Sequence, residues 1–233
     1  MYTEDIEYFT GSSHVAPFSD ESGVPNAWKA YTNSEMPIRL ANVSNDISPL
    51  ADLMPETHTR LLSTVREAFL YSDASKGILR VLNKIVEDDE KLYSYISKAP
   101  VTKQKAAEKY PLFVRNAPRS FVDFYTEHFD GLFDASLAGG FLPLSEMATL
   151  AESIDDYVDY PWYGKAKNMS RLEDILLVFS NGGGGYLYLD LRQDQSSRPD
   201  PVCMLIMTDP GEPMEFVPFW EYLDAWTSIA MGA

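Results

Sequence analysis

In the second half of the chain, apolar residues come in short runs divided by turn-forming residues, a pattern that predicts strands. Ile175 to Phe179 reads as one strand and Tyr186 to Leu191 as the next, with Asn181 and four consecutive glycines between them. Asn and Gly both tolerate positive φ, so this run predicts a hairpin. Residues 202–208 form a third apolar run beyond the polar loop 192–201, and Phe216-Val217 suggests a short fourth. Gly140 to Leu144 (GFLPL) reads as a short strand broken at Pro143.

The first half carries a different period. Leu61, Leu62, Val65 and Phe69 fall at helical spacing, with Thr57 as a cap and Arg60 where a capping box would want Glu. Ile78, Leu79, Leu82, Ile85 and Val86 make a second stripe, capped by Asp73 or Ser75, with Leu92, Tyr93 and Ile96 continuing it past the acidic run of residues 87–90. A third helix follows Pro118, with Phe121, Phe124 and Tyr125 on its apolar face, and ends near Asp130-Gly131. Ser145 is placed to cap a short helix from Glu146 to about Ile154. In the last segment, Phe219, Tyr222, Leu223, Trp226 and Ile229 share one side of a closing helix.

These elements predict an α+β domain over residues 57–233, in which a mostly antiparallel sheet packs against helices. Its parts are a helical lead-in at 57–130, a sheet at 140–217 and a closing helix at 218–231. Residues 1–56 hold Pro17, Pro25, Pro37, Pro49 and Pro55 among many Ser, Asn and Asp. They read as an irregular N-terminal arm or short elements, not a second core, with Phe18, Trp28, Tyr31 and Leu40 available to pack.

Charge narrows the range of partners. The net charge is −16, which argues against binding nucleic acid or anionic membranes, since both need Lys and Arg. It suits a basic partner. Residues 57–110 go the other way, with ten basic against seven acidic residues, while both flanks are strongly acidic. Cys203, the one cysteine, lies in an apolar run and reads as an inert buried thiol, so no intrachain disulfide forms. The acidic start of the chain does not read as a signal peptide, and no run reaches the length of a membrane span, so the expected location is cytoplasmic.

No catalytic constellation is legible. His14, His58 and His128 are isolated, so no metal site is expected. The adjacent acids at 87–90, Asp155-Asp156 with Asp159, and Glu173-Asp174 are what an acidic composition produces. A phosphate loop would need a Lys and a Ser or Thr leading into a helix, and the glycine run leads into Tyr186, Leu187 and Tyr188 instead. We therefore expect neither an enzyme nor a cofactor. The segment with the most character is DDYVDYPWY, where Asp155, Asp156 and Asp159 alternate with Tyr157, Tyr160, Trp162 and Tyr163. Tyr and Trp anchor interfaces, and acids beside them would meet Lys or Arg of a partner. The plainer reading has the aromatics plugging the core while the acids face water.

Over residues 110–230 the order of motifs resembles the SUKH superfamily of bacterial toxin-immunity proteins and fungal regulators of cell-wall synthesis. The motifs are FVDFYTEHFDGLF (Phe121 to Phe133), GFLPLSEM (Gly140 to Met147), LLVFSNGGGGYLYLDL (Leu176 to Leu191) and PFWEYLDAW (Pro218 to Trp226). The unbroken glycine run departs from family turns that include an acidic residue, and the resemblance does not extend to residues 1–56. It implies a non-catalytic protein that binds and neutralises a cognate toxin, for instance a basic nuclease. The alternative it implies is a regulatory scaffold that binds a cellular protein. On the toxin-neutralising reading the contact residues expected are Asp155, Asp156, Asp159, Tyr160, Trp162 and Tyr163, with Asp130 and Asp134 as further candidates.

Overall fold

A computed structural model describes residues 4–11, 16–17, 24–32, 35–85, 92–208 and 214–232. Among these, ten strands form one sheet in which spatial order follows chain order and every neighbouring pair is antiparallel. They are β1 (Ala16–Pro17), β2 (Val65–Asp73), β3 (Gly77–Ile85), β4 (Leu92–Lys98), β5 (Asp130–Asp134), β6 (Gly140–Phe141), β7 (Ile175–Ser180), β8 (Gly185–Asp190), β9 (Val202–Met207) and β10 (Glu215–Pro218). Helices pack on this meander, so the molecule is an α+β fold. Strand β5 joins the two halves of the sheet, pairing Phe133 with Ile96 of β4 and Leu132 with Phe141 of β6. The β5–β6 approach requires Gly140, because a Cβ there would lie 1.9 Å from the Leu132 carbonyl oxygen.

The hairpin read from the glycine run is present, and its chemistry is local. The Asn181 carboxamide oxygen accepts the N–H groups of Gly183 and Gly185, both at 2.8 Å. Gly184 has φ +87°, and its carbonyl accepts the Thr208 N–H at 2.8 Å and the Thr208 hydroxyl at 3.0 Å. Two of the amides a phosphate would need are thus already satisfied by a side chain.

The stretch from 73 to 98 differs from the expected second helix. It is the β3–β4 half of a meander, with Ile78, Leu79 and Leu82 on β3; Val86 and residues 87–90 lie outside the described residues. Leu79 and Val81 face a cluster with Ile6, Phe9 and Phe133, while Leu82 faces the main core. A strand buried on both faces is apolar on both, so its spacing imitates a helix. The supposed cap belongs to the β2–β3 turn: Asp73 Oδ1 accepts the N–H groups of Ser75 and Lys76, both at 2.8 Å. An N-cap and an Asx turn use the same carboxylate-to-amide bond, which is why the signal misleads.

Two further caps differ. The helix Pro55–Thr64 begins before Thr57 and ends before Val65 and Phe69, which belong to β2. Its first amides, from Glu56 and Thr57, donate to the Asp224 carboxylate at 3.0 and 2.8 Å, across from the closing helix Phe219–Gly232. The short helix Leu150–Ser153 is capped by Thr149, not Ser145, in a capping box with Glu152.

The described residues before 57 include a regular helix at Met36–Ile47, and they enter the main core. Trp28 and Tyr31, on a 3-10 turn at Asn26–Thr32, are fully enclosed; Phe18 lies outside the described residues. They surround Arg80 of β3, whose guanidinium has no exposed surface. Arg80 pairs with Asp46 at 2.8 Å and bonds Ser97 at 3.2 Å, while its Nε has no partner among the described residues. The Trp28 indole N–H donates to the His128 carbonyl at 3.1 Å. At the centre of the core, Phe121 meets Phe219 at 5.0 Å and Tyr125 at 5.1 Å between ring centroids. Among the described residues no helix is long and apolar enough to cross a membrane.

Candidate partner-binding surface

The segment DDYVDYPWY covers one face of β7–β9. A 3-10 turn at Ile154–Tyr157 points Ile154 and Tyr157 inward, because residues three apart eclipse in that geometry, and leaves Asp155 and Asp156 outward. Tyr157, Trp162 and Ala166 then join Ile175, Tyr188, Met204 and Ile206 in a second apolar cluster. Hydroxyls tie the turn to the sheet: Tyr188 OH lies 3.0 Å from both Tyr157 OH and Ser153 Oγ.

The predicted contact residues therefore separate by chemistry. Asp155, Asp156 and Asp159 are exposed, and Tyr160 and Tyr163 are half-buried. Trp162 is a correction: it is 7% exposed, it stacks on Tyr160 at 5.5 Å, and it serves as a core plug whose indole N–H has no partner among the described residues. Its size and apolar ring favour burial against β8 over solvent. Asp155 is internally engaged, pairing with Lys167 and accepting from the Tyr163 hydroxyl at 2.9 Å. Those two donors, Lys167 first, hold its carboxyl below the usual carboxylate range. Asp156 and Asp159 have no ion pair among the described residues. Between them stands Val158, 58% exposed, which sequence reasoning passed over. The outward period of 156 and 159 was the available signal.

Asp130 and Asp134 are not brought to this surface. Asp134 Oδ1 accepts the N–H groups of Ser136 at 2.8 Å and Ala138 at 3.1 Å, holding the β5–β6 turn. Asp130 is 2% exposed and accepts the Leu144 N–H at 2.6 Å. Burial pushes its carboxyl up to about 6, against the pull of that amide and of Lys98 and Lys109. A buried, engaged carboxylate is a poor contact for a protein partner.

A second acidic aromatic place is assembled only in three dimensions. Asp52, Asp200 and Glu221 surround Trp220 in a cleft of about 330 Å³ between residues far apart in the chain. Among the described residues no group of three or more His, Cys, Asp and Glu is placed to hold a metal. His14 lies outside the described residues, and His128 ends a π-helical turn. Cys203 is fully buried, which pushes its thiol up to about 12 and leaves it un-ionised at neutral pH.

No protein-family model, curated protein or solved structure matches this chain.

Proposed function

We propose that this protein is a non-catalytic immunity protein of the cytoplasm that captures a basic protein toxin and blocks its action. The observation that carries this reading is the acidic ridge at 155–160. There Asp156 and Asp159 stand exposed and, among the described residues, unpaired around Val158 and the edge of Tyr160, on a base clamped to β8 by the Tyr157–Tyr188 hydroxyl contact. A preformed ridge binds without the cost of ordering a loop. Its carboxylates would meet Lys or Arg, and Val158 and Tyr160 would meet apolar surface. The overall charge of −16 would speed encounter with a cationic partner. The acidic cleft at Trp220 offers the same chemistry in a second place. The resemblance of residues 110–230 to SUKH proteins supports binding over catalysis.

The test is co-expression with the product of the adjacent gene, followed by co-purification and association kinetics. Protection, a stable complex and an association rate that falls steeply with salt are expected. Charge reversal in Asp156→Lys with Asp159→Lys should slow association about tenfold or more. Absence of protection and of any complex with that product, or capture of a cellular protein in its place, would overturn the toxin reading.

A further inference from the structure

Four of the ten basic residues at 57–110 come together in one place. Lys76 precedes β3, Lys98 ends β4, and Lys105 and Lys109 lie on the helix Lys103–Lys109. All four line one recess of about 380 Å³, together with Asp130 and Ser145. Lys98 Nζ donates to Ser145 Oγ at 2.9 Å, and Lys109 Nζ donates to the carbonyls of Leu144 at 2.9 Å and Ser145 at 2.8 Å. These acceptors are neutral. Among the described residues none of Lys98, Lys105 and Lys109 reaches a carboxylate within 4.0 Å, whereas Lys76 meets Glu146 at 3.3 Å. Four ammonium groups thus stand against three carboxylates, Asp130 in the recess, Glu146 beside it and Glu152 within electrostatic reach of Lys109, in a molecule where acids outnumber bases by 35 to 19.

Neutral acceptors satisfy hydrogen bonds but leave the charge in place, so the ammonium groups repel one another until an anion lies between them. Ammonium groups are compact point charges that suit the dispersed charge of a phosphate. One hydroxyl at the recess adds a neutral donor: Thr102, whose oxygen accepts the Lys105 N–H at 3.2 Å while its proton has no acceptor among the described residues; Ser145 Oγ already donates to Glu146 Oε1 at 3.3 Å. Ile78, Val101 and Leu144 give apolar wall beside the charges, and the volume exceeds what a bare ion fills.

We propose that this recess binds a small phosphorylated molecule, with its phosphate among Lys98, Lys105 and Lys109 and its organic part against Ile78 and Val101. The site is independent of the acidic ridge and opposite to it in charge. Asp130, Glu146 and Glu152 temper the field, which favours a phosphate ester over a long polyanion.

Calorimetric titration of the full chain with pyrophosphate, at about 0.15 M salt, tests this directly. One saturable site is expected. Lys105→Gln and Lys98→Gln should each weaken it about three- to tenfold. Lys105 is exposed, so its replacement leaves the fold intact. Asp130→Asn keeps an acceptor for the Leu144 amide and removes an opposing charge, so it should tighten binding about threefold. Lys165→Gln, an exposed lysine outside the recess, is the control and should change nothing. No saturable binding, equal binding by the Lys98 and Lys105 variants, weaker binding by Asp130→Asn, or tighter binding of polyglutamate than of pyrophosphate would each overturn the assignment.

Discussion

Replacing Asp46 with leucine strands the Arg80 guanidinium inside the core. The ion pair at 2.8 Å disappears, and only Ser97 Oγ at 3.2 Å and the Tyr31 hydroxyl at 3.4 Å remain. The rings of Trp28, Tyr31 and Phe129, at 5.3, 5.7 and 4.8 Å from the guanidinium carbon, still attract the cation. Breaking a fully buried pair costs about 3–5 kcal/mol. Asp46 keeps 12% of its side-chain surface exposed and the ring faces hold part of the charge, so the loss here should be about 2–4 kcal/mol. Desolvation lifts the Asp46 carboxyl above its usual range in spite of Arg80. Burial of that charge therefore outweighs what the pair returns to it. The double replacement Asp46→Leu with Arg80→Met, which removes both charges, should then lie within about 1 kcal/mol of the wild type. Arg80→Met alone should cost about 2–3 kcal/mol, giving a coupling of roughly 3 kcal/mol or more across the cycle. Urea unfolding followed by tryptophan fluorescence measures all four proteins. Additive losses in the double variant would refute this account of the cage.

Asp224→Ala removes the acceptor of two helix-start amides and should lower unfolding stability by about 2–3 kcal/mol, with Asp224→Asn costing less, in the same urea assay. Asp130 has a folded value of about 6 against 3.8 unfolded, so the native state binds the extra proton. Its contribution to stability is complete below about pH 4 and is lost as pH rises through 6, by about 1–3 kcal/mol. Asp130→Asn should therefore match the wild type near pH 3.5 and exceed its stability near pH 7.5 by about 1 kcal/mol or more, as read from melting curves at the two pH values. Gly184→Ala forces a Cβ to within 2.0 Å of Thr208 Oγ1 at a positive φ, and should cost about 2 kcal/mol or more by chemical denaturation. Phe121→Ala, at the centre of the aromatic core, should cost about 3–5 kcal/mol, measured in the same way.

Legibility followed the range of the interactions. The β7–β8 hairpin was readable because Asn181 bonds the glycine amides two and four residues on. The ring-bearing helix after Pro118 and the closing helix were readable because each lays a periodic apolar face on the core. Strand β3 was not, since its two-sided burial depends on Ile6 and Phe9 arriving from the N-terminus. The start of the helix Pro55–Thr64 was not, since its cap stands 167 residues away in the chain. The exposed acids at 155, 156 and 159 were placed correctly on the surface, whereas Trp162 in the same segment turned inward.

By itself, then, the chain determined its α+β class, its glycine hairpin and its acidic character, because composition and bonds between near neighbours act before any tertiary contact exists. Only the tertiary structure decided which carboxylates stay unpaired, which aromatic rings reach solvent, and that Lys76, Lys98, Lys105 and Lys109 share one recess. Each of those depends on what a distant segment covers or brings near, and burial and electrostatic fields act through space, not along the chain.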